Sequence, residues 1–280
     1  MSSATTVFSQ SIGRKVVMGL SGLFLVSFLF VHVGGNLLLF APLLGGPENG
    51  AAFNAFVRFM TTNPLIKVME YVLASGFIIH IIYGFIISLK NNAARPVKYQ
   101  YNKAKDKGSS WFSRNMIWTG IIVLIYLVVH IPMFYGKYHF AHEGNQVVTI
   151  EEAYVSNVKV KDDIKAADGT IVLEHGHYIF EKDWLRIKEA DINVDQEVHA
   201  LSMTELTKQS FSNPLIAGFY ALSMLFLAFH LMHGFQSGFR SLGLVHKKYM
   251  PLIKAGGYFI AVVIPFLFAL MPIGFYFGVV

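Results

Sequence analysis

Cysteine is absent from this 280-residue chain. That excludes disulfides, iron–sulfur clusters and thiolate-ligated haem within it. Any metal or cofactor must be held by histidine, methionine, carboxylate or backbone groups. Charge is also scarce. Asp, Glu, Lys and Arg make up 14% of the residues, whereas soluble domains carry about 25%. A membrane protein is therefore the first expectation. No cleavable signal is expected. Arg14 and Lys15 precede a long apolar run, but no small-residue cleavage site follows the first ~7–15 apolar residues, where a signal peptide would place one. No low-complexity tract and no internal repeat is read from the sequence.

What is abundant is apolar surface, at 54% of the residues. A hydrocarbon core of ~30 Å needs ~20 apolar residues of helix, and five segments qualify. They run from about Val16 to Phe40, Pro64 to Leu89, Met116 to Tyr135, Pro214 to Phe239, and Pro251 to Val280. Between the third and fourth lies a polar stretch, Gly136 to Asn213, too hydrophilic to enter lipid. The expected organisation is three spans in residues 1–135, an extracytoplasmic subdomain in 136–213, and two spans in 214–280. The fold class is all-α membrane protein, with a small outer subdomain of mixed structure.

The net charge of +6 is unevenly placed. The loop between spans two and three carries Lys90, Arg95, Lys98, Lys103, Lys105, Lys107 and Arg114 against one acid, Asp106. The loop between spans four and five carries Arg240, Lys247 and Lys248 and no acid. With Arg14 and Lys15, these lie on one side of a five-span chain, and the positive-inside rule makes that side the cytoplasm. Residues 137–210 carry fourteen acids against eight bases and lie on the opposite side, as does the C-terminus. The basic loops thus set topology and suit anionic lipid or a soluble partner; no nucleic-acid partner is expected.

The polar stretch is too long for a simple connection. Val155–Val160 and Thr170–Phe180 read as short strands, with Asp168-Gly169 as a turn. Its His175 and His177, with His139 and His142, are metal-ligand types, but surface histidines without a role are the simpler reading.

Ionisable residues inside spans are costly, and each is a functional candidate. The spans hold His32, His80, His130, His230 and His233, with Lys67 and Glu70 near the entrance of span two. The fifth span holds no histidine. Depth follows from 1.5 Å per helical residue. His32 lies roughly 26 Å beyond Lys15, and His130 roughly 24 Å beyond Arg114. His80 precedes Lys90 and His230 precedes Arg240, each by roughly 15 Å. The histidines therefore form two depth-matched pairs, His32 with His130 on the outer side and His80 with His230 on the cytoplasmic side. A haem between helices needs one axial imidazole from each of two facing spans at one depth. Two pairs expect two haems stacked across the bilayer, with no open coordination position. His233 follows His230 by three residues on nearly the same face, but at roughly 10 Å it matches His80 less well. The spans are also rich in glycine, which offers low-profile faces to a flat cofactor and equally lets membrane helices pack closely.

Several local patterns then carry a resemblance. They are Ser11-Ile12-Gly13-Arg14-Lys15 leading into span one, Val31-His32-Val33-Gly34-Gly35-Asn36-Leu37, and Ile79-His80-Ile81-Ile82-Tyr83-Gly84. Val129-His130-Ile131 and Phe229-His230-Leu231-Met232-His233-Gly234-Phe235 complete them. With these, the chain resembles the five-helix, di-haem cytochrome b anchor of succinate dehydrogenases and fumarate reductases. The resemblance covers the five spans. It implies ligands from the first four helices, paired first with third and second with fourth, and thus two haem b held by His32, His80, His130 and His230. Related anchors carry Asn in place of His233, which favours His230 as the ligand. It further implies an FAD flavoprotein and an iron–sulfur subunit docked on the cytoplasmic face of a bacterial inner membrane, electron transfer to menaquinone or another quinone, and room for a higher oligomer of the heterotrimer.

Two departures stand out. The loop 137–210 is longer than in compact members, and Ala228 stands where some fumarate-reducing members carry an acid. Glu70 is then the one acid placed for quinol protons, although a helix N-terminal acid favoured by the dipole is the plainer role. Ser11, Arg14 and Lys15 are candidates for quinone or propionate contacts, with snorkelling as their ordinary role. Other readings are the di-haem anchor of a hydrogenase or formate dehydrogenase, a proton-coupled transporter using the histidines as a relay, and a haem-free anchor.

Overall fold

A computed structural model describes residues 11–46, 50–94, 114–140, 146–149, 159–160, 163–166, 168–173 and 197–279. Five helices are long and apolar enough to cross a membrane, and the protein is an all-α, multi-pass membrane protein. They are α1 (Ser11–Leu37), α3 (Pro64–Ala93), α4 (Met116–Ile131), α7 (Pro214–Ser241) and α8 (Met250–Tyr276). A 3-10 turn, Leu38–Leu44, prolongs α1 and ends at Gly45, whose φ of 76° needs no side chain. A π turn, Pro132–Gly136, and the short α5 (Lys137–Phe140) prolong α4. The π turn begins at Pro132, whose missing N–H breaks the regular ladder.

Two helices outside the spans were not expected from the sequence. The short α2 (Ala51–Thr62) precedes α3, and α6 (Met203–Phe211) precedes α7. Ser202 caps α6 by accepting from the Glu205 N–H at 3.2 Å, worth about 1 kcal/mol. The mixed outer segment is present as a three-stranded antiparallel sheet and a hairpin. The sheet has order β1 (Gln146–Thr149), β5 (Glu197–Leu201), β2 (Lys159–Val160). The hairpin pairs β3 (Ile164–Lys165) with β4 (Ile171–Leu173) around the expected Asp168-Gly169 turn. The remainder of the strand-like runs, with His142, His175 and His177, lies outside the described residues.

The expectation of no internal repeat is corrected. Residues 18–32 and 116–130, offset by 98, share Met18/Met116, Ser21/Thr119, Gly22/Gly120, Phe28/Tyr126 and His32/His130. Residues 63–90 and 213–240, offset by 150, share Asn-Pro-Leu-Ile at the start, His80/His230, Gly84/Gly234, Phe85/Phe235 and Lys90/Arg240. The unequal offsets hide the repeat, because the polar insertion separates the second pair of helices and not the first.

The matched residues make matched contacts. Asn63 Oδ1 accepts from the Leu65 and Ile66 N–H at 2.9 and 3.4 Å, and Asn213 Oδ1 from Leu215 and Ile216 at 2.9 and 3.4 Å. Each starts a span with Asn at the cap and Pro at the first helical position, where a missing N–H costs nothing. A Cβ on Gly84 would lie 3.3 Å from Met18 Cε, and one on Gly234 3.2 Å from Met116 Cε. Lys90 and Arg240 occupy the last turns, where the helix dipole favours a cation.

The chain divides into two compact units. One comprises Met1–His32, Val68–Ile125 and Leu222–Leu267; the other comprises Val33–Lys67, Tyr126–Ala221 and Phe268–Val280. In the first, Gly19 and Gly238 bring α1 and α7 together: a Cβ on Gly19 would meet the Gly238 carbonyl oxygen at 3.0 Å. Lipid gives helices no hydrophobic reason to associate, so such close backbone approach is what holds them. The second is organised on Leu39, Phe53, Phe211, Tyr220, Met271 and Phe275. There Asn54, 3% exposed, donates through Nδ2 to Ser202 Oγ (3.1 Å), and its Oδ1 accepts from the Thr204 N–H and hydroxyl (3.2 Å each).

Candidate functional site

In the first unit, α3 presents His80 and α7 presents His230, both half-buried. Their ring centres lie 6.2 Å apart with planes at 76°. The pairing expected from depth is thus present for these two. His80 Nδ1 sits 3.3 Å from Ser21 Oγ on α1, and His230 Nδ1 sits 3.4 Å from Thr119 Oγ1 on α4. Ser21 and Thr119 are buried, at 8% and 3% exposure.

The residue after each hydroxyl is glycine, for a steric reason. A Cβ on Gly22 would lie 3.2 Å from His80 Cε1, and one on Gly120 would lie 3.3 Å from His230 Cε1. Both distances are tighter than ordinary contact, so the imidazoles rest on bare backbone. The other span glycines divide differently. Gly76 lies under Phe24 and Gly35 under Phe56, whereas Gly34 and Gly218 have nothing within 4 Å of a Cβ. Among the described glycines, Gly22 and Gly120 are the ones that seat these histidines.

The outer histidines lie in separate units. His32 stacks on Phe28, four residues earlier, at 5.3 Å and 15°. His130 stacks on Tyr126, also four residues earlier, at 5.2 Å and 16°. The Tyr126 hydroxyl lies 3.4 Å from His130 Nδ1, while Phe28 has no such group. Tyr220 and Phe134 complete the aromatic surround of His130.

The lower-ranked candidates are placed as follows. His233 is half-buried one turn after His230. Glu70 is half-buried in the second turn of α3. Ser11 and Lys15 are exposed and Arg14 is half-buried, all in the first turns of α1 before Ser21. His139 stacks on Tyr135 at 4.0 Å, with Nδ1 3.0 Å from the Tyr135 carbonyl. Among the described residues no cluster of three or more His, Asp or Glu is arranged to hold a metal ion. The residues that sequence reasoning missed are Ser21 and Thr119; the signal that marks them is the repeat.

The His80–His230 donor set suits a haem iron. With metal–nitrogen bonds of about 2 Å, one iron could be held between two rings whose centres lie 6.2 Å apart. Each imidazole also has a hydroxyl at its Nδ1, as metal-bound histidines require of their second nitrogen. Compared with family models, curated proteins and solved structures, the chain matches none.

Proposed function

We propose that this protein is the membrane-anchor cytochrome b subunit of a succinate:quinone oxidoreductase of the five-helix, di-haem type. The reading is carried by one observation: His80 and His230 lie at bis-imidazole spacing, each seated on a hydroxyl and a glycine from another span. His80 and His230 would hold the cytoplasmic-side haem b; His32 and His130 are assigned to the outer one by matched sequence depth and the resemblance alone. Haem b with two imidazoles supplies reversible one-electron transfer and leaves no open position for oxygen.

The chain's own part is positional. The apolar helices exclude water, the glycines admit the imidazoles, and the hydroxyls occupy Nδ1. The cytoplasmic placement of the basic loops suits docking of a flavoprotein and an iron–sulfur subunit. Arg14, Lys15, Ser11 and His233 are the candidates on that side for contact with a quinone head group or a propionate.

The test is a reduced-minus-oxidised optical spectrum of the purified protein with a pyridine haemochrome count. Two haem b per chain is the expected result, and a colourless protein would sink the reading. The soluble subunits that co-purify then separate succinate chemistry from a hydrogenase or formate dehydrogenase. FAD with succinate-dependent quinone reduction is the expected outcome.

A further inference from the structure

Ser21 Oγ lies 3.2 Å from the Met18 carbonyl oxygen as well as 3.3 Å from His80 Nδ1. Thr119 Oγ1 lies 3.0 Å from the Met116 carbonyl oxygen as well as 3.4 Å from His230 Nδ1. A hydroxyl has one proton to give and lone pairs with which to accept. A backbone carbonyl can only accept, so the proton goes there. The imidazole then meets a lone pair and must bring the N–H itself. A neutral imidazole protonated at Nδ1 carries its free lone pair on Nε2.

We infer that Ser21 and Thr119 are positioning residues that fix His80 and His230 as the Nδ1–H tautomer, with Nε2 left to bind iron. The inference rests on the haem reading of this pair. Three features carry it. The hydroxyl's proton is committed to the carbonyl three residues earlier in both cases. Gly22 and Gly120 hold each ring against the backbone beside its hydroxyl. The arrangement also occurs twice, at equivalent positions of the repeat, with a side chain that changes from Ser to Thr while the hydroxyl stays.

An acceptor on Nδ1–H increases electron donation from Nε2. That favours ferric over ferrous iron and lowers the midpoint potential. The devices belong to the cytoplasmic-side pair, since the repeat partner of Tyr126 is Phe28, which has no hydroxyl.

The experiment is a redox titration of haem absorbance in the full protein, comparing wild type with Ser21→Ala and Thr119→Val. Haem content per chain is measured alongside. The expected result is an unchanged haem content, an upward shift of one of the two midpoints, and no shift of the other. Ser21→Thr and Thr119→Ser keep the wild-type midpoint. Unmoved midpoints in haem-loaded Ser21→Ala and Thr119→Val would overturn the inference while leaving the proposed function standing. A wild-type protein without haem would remove both. Ser21→Ala carries the decision, because the Met116 carbonyl also accepts from the His230 ring and can stand in when Thr119 is replaced.

Discussion

His80 and His230 lie with ring centres 6.2 Å apart and ring planes at 76°, and each rests on a hydroxyl–glycine step of a different span. The pair is the narrowest geometric statement the fold makes about function. It ties four spans together: α1 and α4 through the seats, α3 and α7 through the rings. Each span contributes a residue type that lipid alone would not favour, a buried hydroxyl or an imidazole.

Replacing His80 or His230 by alanine removes one ring of the pair. The expected outcome is one haem b per chain where wild type has two, measured as pyridine haemochrome against protein. Retention of both haems in His80→Ala would rule out paired ligation at this depth.

Gly120→Val and Gly22→Val place methyl groups where His230 Cε1 and His80 Cε1 now lie 3.3 and 3.2 Å from a bare Cβ position. Overpacking of this kind costs about 1–3 kcal/mol, and here the displaced group is a ligand. Reduced haem occupancy and a lower Tm are expected. Gly34→Ala and Gly218→Ala meet nothing within 4 Å and serve as controls. Equal losses in all four would mean that glycine acts through the helices generally and not through the seats.

Asn54→Ala withdraws one donor and one double acceptor from a buried network with Ser202 and Thr204. Leaving such groups without partners costs about 1–3 kcal/mol. Gly50→Ala strains the same joint, because Gly50 has a φ of 69° and a Cβ there overlaps Thr204. Thermal unfolding of the purified protein reports both. In a double-mutant cycle, Thr204→Ala is expected to recover part of the Gly50→Ala loss. Purely additive losses would refute contact between the two sites as the cause.

In the outer hairpin, the Thr170 N–H donates to Asp168 Oδ1 at 2.9 Å, and the Thr170 side chain adds a second hydrogen bond. These hold the Asp168 carboxyl below the ordinary carboxylate range. A group whose pKa is depressed by folding contributes stability that is present above its unfolded pKa and lost as pH falls through the folded value. The turn is thus expected to keep Thr170 amide protection at neutral pH and to lose it only below about pH 4. Carboxyl NMR titration of Asp168 checks this, and an ordinary midpoint would refute it.

The spans were legible from length and hydropathy, because a helix in lipid must be apolar over a fixed thickness. Their starts at Pro64 and Pro214 were legible for a local reason, since the Asn-Pro step caps and opens a helix within a few residues. The helices α2 and α6 were not, because both are short and take their stability from packing, as Phe53 and Phe211 show by sharing one core. The turn at Asp168-Gly169 was readable because the side chain bonds its own backbone two residues on. Ser21 and Thr119 were invisible singly: a hydroxyl in a membrane helix ordinarily bonds back to its own helix, as Ser75 does to the Tyr71 carbonyl.

By itself the sequence determined which helices are long and apolar enough to enter lipid, and set the expectation of which histidines share a depth. Both are one-dimensional properties, set by hydropathy and by 1.5 Å of rise per residue. Only the tertiary structure decided which face of each helix meets which neighbour. It placed Gly22 and Gly120, and not Gly34 or Gly218, beneath imidazoles, and it made Ser21 and Thr119 partners of His80 and His230. Depth is fixed along the chain, whereas rotation about each helix axis is fixed only by packing against the other helices.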